Sequence, residues 1–149
     1  MIDLKRDEQC PHCGRFSNRG LSIDAVIIKG DEILLVKRGA EFDTGLWATP
    51  GGYVEWDEST EGSVAREVKE ETGLNVISTK FVGVYSSPDR HPKQVINIVY
   101  LAEVEKGEPK AGDDARDVRW FPLDALPEKM AFDHKQNIAD ALKVLGKNV

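Results

Sequence analysis

At 149 residues the chain has the size of one ordinary domain, and its 40% hydrophobic and 31% charged residues are those of a globular protein rather than a disordered or repetitive one. A formal net charge of −6 excludes a broad polyanion-binding face, which would need a dense Lys/Arg surface, so no nucleic acid polymer is expected as a partner. No apolar run reaches the roughly eighteen residues of a membrane span, and the opening residues lack the apolar stretch of an export signal, so no membrane partner and a cytoplasmic location are expected.

Residues 1–20 are polar and glycine-containing and read as an appendage to a domain over 21–149. The appendage carries Cys10 and Cys13 in Cys-Pro-His-Cys-Gly, the spacing of a zinc knuckle. A structural zinc site takes four ligands and a second Cys pair is absent. Zinc here would need His12 or a pair from a second subunit, and the alternative is a tight turn with free thiols.

The β-branched and aliphatic runs 22–29 and 32–38 flank Gly30-Asp31 and predict a hairpin of two strands. A short extended segment follows over 45–54, broken by Pro50, Gly51 and Gly52, where the backbone must bend and approach something closely. Residues 59–72 predict a helix: Ser59 is placed to cap it, Glu61 complements its first turn, and Gly73 sits where a left-handed glycine ends it. Val64, Ala65 and Val68 form its apolar stripe, while Gly62 weakens its first turn without evident reason. Strands are expected over 75–85, 94–105 and 118–122, separated by polar loops at 86–92 and 106–116. A closing helix begins after Asp133, with Ile138, Leu142 and Leu145 as its stripe. Together these elements predict an α/β sandwich, a mixed β-sheet between helices.

Glu67, Glu70 and Glu71 stand at i, i+3 and i+4 and therefore project from one flank of the first helix. Three such carboxylates repel one another unless a cation lies among them, and their hard oxygens select Mg²⁺ or Mn²⁺. An isolated Glu-rich helix with Arg66 and Lys69 beside it is usually a solvated face. Here Gly51 and Gly52 precede it, bringing backbone without side chains to a point where a carbonyl joins a metal shell or a phosphate approaches.

Gly52, Glu58 and Arg66-Glu67-Val68-Lys69-Glu70-Glu71-Thr72-Gly73-Leu74 match the pattern G-x5-E-x7-R-E-U-x-E-E-x-G-U without a mismatch, and by this the chain resembles the Nudix hydrolases. Leu34–Gly39, Gly45-Leu46-Trp47 and Val118–Phe121 are also similar to flanking segments of that family. The resemblance implies a Nudix α/β/α sandwich in which Glu67, Glu70 and Glu71 hold Mg²⁺ with the Gly51 carbonyl. Arg66 would orient a carboxylate, and Glu58 would pair with Arg66 or take a further metal. The implied reaction is hydrolysis of a diphosphate link by water. Glu67 leads as general base, with Asp113, Asp114 and Asp117 as loop candidates.

Substrate choice lies outside that pattern. Residues 83–90, containing Pro88, and Ala131-Phe132-Asp133-His134 resemble segments of Nudix ADP-ribose hydrolases, whereas His91-Pro92-Lys93 departs from the acid followed by Pro-Arg that many of them carry. Arg38 and Arg90 are candidate phosphate binders, and Phe42, Tyr85 and Trp47 are candidates to stack on a base. His91 and His134 are expected as surface and cap-adjacent residues rather than catalysts. The first expectation is ADP-ribose, or a related nucleoside diphosphate derivative, cleaved to AMP and ribose 5-phosphate. The second is a nucleoside triphosphate, oxidised or not, releasing pyrophosphate; a third is a non-enzymatic ligand sensor. The resemblance also admits a homodimer.

Overall fold

The computed structural model describes residues 7–147. The run 22–29 does not form one hairpin strand. It divides at Ile27 into β1 (Leu21–Val26) and β2 (Ile28–Lys29), and only β2 turns through Gly30 to meet β3 (Glu32–Arg38), at Ile28↔Ile33 and Lys29↔Glu32. The reason is burial on both sides: Ile23, Ala25, Val26 and Ile27 are all within 1% of complete burial, so β1 belongs in the middle of a sheet.

β1 pairs antiparallel with β5 (Gly51–Tyr53) and parallel with β7 (Ile96–Val104), and β7 pairs antiparallel with the edge strand β6 (Val76–Tyr85). This four-stranded sheet is mixed. The second sheet is antiparallel, with β3 pairing both β4 (Trp47–Ala48) and β8 (Ala115–Pro122) as well as β2. Two sheets thus replace the single one expected. The chain leaves one for the other within β1–β2, a step that hydrophobic periodicity does not mark.

α1 (Thr60–Thr72) and α2 (His134–Val144) cover opposite faces. Side chains alternate along a strand, so Ile23 and Ala25 of β1 with Tyr100 and Ala102 of β7 meet Val64 and Val68 of α1. Val26, Val99 and Leu101 point the other way and meet Ile138, Ala141 and Leu142 of α2. The architecture is an α/β/α sandwich. Each fully buried Val or Ile of these stripes contributes about 1.5–3 kcal/mol of burial.

α1 begins and ends as its sequence prescribes. Ser59 is extended (φ −75°, ψ 166°) with Oγ accepting from Gly62 N at 3.0 Å, and Gly73, at φ 75°, donates to Lys69 O at 3.0 Å. Gly62 has a local reason: a Cβ there would stand 3.2 Å from the capping Ser59 Oγ. α2 departs from expectation at both ends. Asp133 occupies the N-cap position without a side-chain cap bond, because its carboxylate is engaged by Arg90. Leu145 lies past the last turn and is 44% exposed, so the buried stripe runs through Ile138, Ala141 and Leu142.

Candidate active site

Gly51 and Gly52 lie opposite Asp24 and Ile23 of β1, and neither has room for a side chain. A Cβ on Gly51 would stand 2.8 Å from Asp24 Cγ and overlap Ile23 O, and one on Gly52 would stand 2.5 Å from Glu67 Cδ. The glycines are required by close approach, since the carboxylate of Glu67 packs directly on the backbone of Gly52.

Glu67, Glu70 and Asp113 each bring a carboxylate oxygen to one point, the three lying within 4.8 Å of one another. Asp113 comes from the loop after β7, which is pinned to the last turn of α1 by Lys110 N donating to Thr72 O (2.8 Å) and Gly112 N to Glu71 O (3.2 Å). Those α1 carbonyls lack partners within the helix, so the loop satisfies them while delivering Asp113. Of the other loop acids, Asp114 lines the same cavity, whereas Asp117 pairs with Arg119 at 2.8 Å. Glu71 turns inward, its Oε2 accepting from Gly51 N at 3.3 Å.

Arg66 organises the near side. It donates to both oxygens of Glu58 (2.9 and 2.8 Å), to Glu67 Oε1 (2.8 Å), to Glu70 Oε2 (3.3 Å) and to Tyr53 O (3.0 Å). The fork geometry of a guanidinium suits this bidentate grip. Arg66 holds the Glu58 carboxyl down at about 2, and these carboxylates raise Arg66 well above its ordinary value. Glu67 goes the other way: burial pushes it up to about 7 against the pull of Arg66. Burial, then the charge of Glu67, pushes Glu71 up to about 9. Without a cation, burial and mutual repulsion thus oppose full ionisation of this cluster. A set of oxygen donors that burial makes reluctant to ionise is what a hard divalent cation compensates, and the residues fit one.

Glu67 and Asp113 of this cluster, with Glu71, line a cavity of about 370 Å³. An aromatic and cationic group lines it as well. His91 lies between Phe42 (centroids 5.4 Å) and Phe132 (4.8 Å), with Arg38 over the Phe132 ring at 4.8 Å and Lys93 over Phe42 at 5.5 Å. Burial and the nearby Arg90, Arg38 and Lys93 hold His91 below its ordinary value. Arg38 and Phe42 are joined further by Arg38 Nε donating to Phe42 O at 2.9 Å.

Arg90 lines this cavity, but its side chain is only 4% exposed and grips both oxygens of Asp133 at 3.0 Å and Val95 O at 2.9 Å. Tyr85 is not brought to the cavity. Its hydroxyl donates to Asp140 of α2 at 2.6 Å and its ring packs in the α2-side core. Trp47 packs edge-on against Phe121 (4.7 Å). Cys10 and Cys13 sit in a small hairpin closed by the Gln9↔Phe16 bridge, with Gly14 at φ 74° and Gly14 N donating to Cys10 O. Backbone N–H groups of Cys13 and His12 lower the Cys10 thiol, and among the described residues no third ligand joins the pair.

His134 stands next to the N-cap Asp133, as expected, and is buried. It is 2% exposed and joins Asp24 (7%) and Asn97 (0%) in a polar chain beside the glycine loop. Asn97 Nδ2 donates to Asp24 Oδ2 at 2.6 Å, and His134 Nε2 lies 3.3 Å from the same oxygen. The signal available in the sequence was Asp24 itself, one charge in an otherwise apolar run bound for the sheet interior.

A glutamate cage on a capped helix thus faces a glycine loop and a cavity that Arg38 and Lys93 also line, an arrangement suited to a divalent cation and a phosphate-bearing ligand. The NUDIX domain model matches residues 18–141, and the chain belongs to the Nudix hydrolase family. It is 48% identical over 124 residues to an ADP-ribose pyrophosphatase of Methanocaldococcus jannaschii, covering 83% of this chain and 73% of that protein. It is 38% identical over 129 residues to the NAD-capped RNA hydrolase NudC of Pseudomonas aeruginosa, covering 84% of this chain but only 45% of that one. The Nudix domain of Shewanella oneidensis NrtR, solved with ADP ribose, superposes with a TM-score of 0.79 at 29% identity, over 87% of this chain and 90% of that one.

Proposed function

We propose that this Nudix hydrolase cleaves the diphosphate of ADP-ribose in a Mg²⁺-dependent reaction, water adding to one phosphorus while the bridging P–O bond breaks to leave AMP and ribose 5-phosphate. The observation that carries the reading is the mixed lining of one cavity, carboxylates together with Arg38 and Lys93 on an aromatic wall. A small molecule that joins a nucleoside to a sugar through a doubly charged link suits that lining. Identity to the Methanocaldococcus enzyme supports the same substrate.

In this reading Glu67, Glu70 and Glu71, with the Gly51 carbonyl, hold the metal, and Asp113 joins them across the cluster. When bound, a divalent cation lowers the pKa of a coordinated water and neutralises the non-bridging oxygens of the diphosphate. Glu67, held by Arg66 within the carboxylate cluster, is placed to take the proton of the attacking water. Arg66 fixes the orientation of Glu67 and keeps Glu58 engaged as its partner rather than as a metal ligand. Arg38 offsets charge on the phosphates, and Phe42, His91 and Phe132 wall the nucleoside. The catalytic domain runs over 21–149, with residues 1–20 an appendage to it.

The test is product analysis with Mg²⁺ across ADP-ribose, NAD, a panel of nucleoside diphosphate sugars and ordinary and oxidised nucleoside triphosphates. The expected result is preferential release of AMP and ribose 5-phosphate from ADP-ribose. Preferential release of pyrophosphate from a triphosphate would overturn the substrate assignment.

A further inference from the structure

Gly51 enters the site from Thr49 and Pro50, and Pro50 has no N–H with which to anchor the turn. The donor just before it is Thr49 N, in a residue 2% exposed, and its acceptor is the imidazole Nδ1 of His134, at 3.2 Å. Thr49 Oγ1 lies at the same distance from that Nδ1, and among the described residues no backbone carbonyl takes the Thr49 N–H. A nitrogen that accepts an N–H must present its lone pair, and the ring's other nitrogen, Nε2, lies 3.3 Å from Asp24 Oδ2. Asp24 in turn abuts Gly51 so closely that a Cβ there would meet its carboxylate. His134 therefore reaches Gly51 from two directions: through the Thr49 amide two residues upstream and through the carboxylate against its Cα.

We propose that His134 is a positioning residue for the metal end of the site, holding the Thr49–Gly51 turn by accepting the Thr49 N–H at Nδ1. The inference rests on the metal reading given under the proposed function. Two further bonds of the turn, Ala25 N to Pro50 O (2.8 Å) and Gly51 N to Glu71 Oε2 (3.3 Å), lie beyond Thr49, whose own amide is held by the imidazole. The same short segment serves the aromatic part of the cavity lining. Phe132, at φ 48°, supplies its ring to the aromatic wall, and Asp133 grips Arg90. Three successive residues at the start of α2 thus tie both parts of the cavity lining to one rigid element. The lead-in to α2 has its own tether in Ala131 N donating to Trp47 O at 2.8 Å, so the helix stays docked when the imidazole is changed.

Two substitutions separate the bonds. The Asn carboxamide oxygen in His134→Asn occupies the place of Nδ1 and still accepts from Thr49, while the Gln amide in His134→Gln reaches the place of Nε2 and serves only Asp24. The probe is Mn²⁺ itself, its binding followed by loss of the free-ion electron paramagnetic resonance signal, beside the melting temperature of each variant. Dissociation constants within about twofold of wild type for His134→Asn and weakened about tenfold for His134→Gln and His134→Ala are expected, corresponding to a loss of about 1.4 kcal/mol in the last two. Unchanged Mn²⁺ binding in all three, with only lower melting temperatures, would overturn the inference and leave the ring a packing group. Equal weakening in His134→Asn and His134→Ala would overturn the Thr49 bond as the route. A wild-type protein that binds no Mn²⁺ would overturn the metal reading, and the positioning role with it, a failure distinct from the other two.

Discussion

Replacing Gly52 with Ala isolates the position of one carboxylate. Gly52 has no left-handed backbone, so alanine meets no conformational penalty there, and the atoms nearest the added Cβ are those of the Glu67 carboxylate, 2.5 Å to Cδ and 2.9 Å to Oε2. Ordinary carbon contacts begin at about 3.4 Å, so the carboxylate must retreat by about 1 Å. Arg66, bound to Glu67 at 2.8 Å and to Glu58 at the same distance, resists that movement and leaves no alternative position inside the cluster. A misplacement of about 1 Å at a reacting centre lowers turnover by about 10²-fold. Steady-state kinetics with ADP-ribose and Mg²⁺, beside a thermal melt, give the two numbers needed. The expected outcome is kcat/KM down about 100-fold with a melting temperature within about 5 °C of wild type, since a shift of this size corresponds to about 1–2 kcal/mol. Activity within threefold of wild type at unchanged stability would refute the claim that Gly52 is small so that Glu67 can occupy its place.

Glu70→Gln should lower kcat at least 100-fold while leaving the melting temperature unchanged or raised, because a half-exposed carboxylate that repels Glu67 is lost; retained turnover in a coupled phosphate assay would remove Glu70 from the metal set. Glu67 at about 7 and Glu71 at about 9 must lose protons before they coordinate, so the apparent Mn²⁺ affinity should rise between pH 6 and pH 9; a flat profile would contradict the buried, protonated state. The same two groups bind protons more tightly folded than unfolded, so the metal-free protein should melt lower as pH rises from their ordinary 4.5 through 7 and 9, and Mg²⁺ should restore most at the alkaline end of a calorimetric series. Glu58 has the opposite sign: depressed to about 2 by Arg66, it contributes stability that is present above 4.5 and lost as pH falls through 2. Arg66→Gln removes that contribution, and acid unfolding followed by circular dichroism should move to higher pH; an unshifted acid limb would deny the pair its role.

What the sequence made legible was local. The cap, the apolar stripe and the terminal glycine of α1 lie within fifteen residues, and the spacing of Glu67, Glu70 and Glu71 is a property of the helix alone. The strand pairings were legible only where a turn joined neighbours. β1 pairs with β7, some seventy-five residues later, through Leu21↔Ile96 to Val26↔Leu101, and nothing within the run 22–29 marks its passage from one sheet to the other. Side-chain roles set at long range were missed for the same reason. Arg90 finds Asp133, Tyr85 finds Asp140, and His134 is buried by Asp24 and Thr49, each pairing distant in sequence and visible only once the sheets and α2 are assembled. Asp113 was one of three equivalent loop acids until the Gly112 contact with α1 set it apart.

Metal-dependent diphosphate hydrolysis at the carboxylate cluster is checked by phosphorus-31 NMR of ADP-ribose incubated with the protein, with Mg²⁺ or with excess EDTA, and with Glu70→Gln in parallel. The diphosphate resonances are expected to give way to those of AMP and ribose 5-phosphate in equal amount with wild-type protein and Mg²⁺ only. Hydrolysis that proceeds equally in EDTA or with Glu70→Gln, or a diphosphate that stays intact with wild-type protein and Mg²⁺, would contradict metal-dependent hydrolysis there.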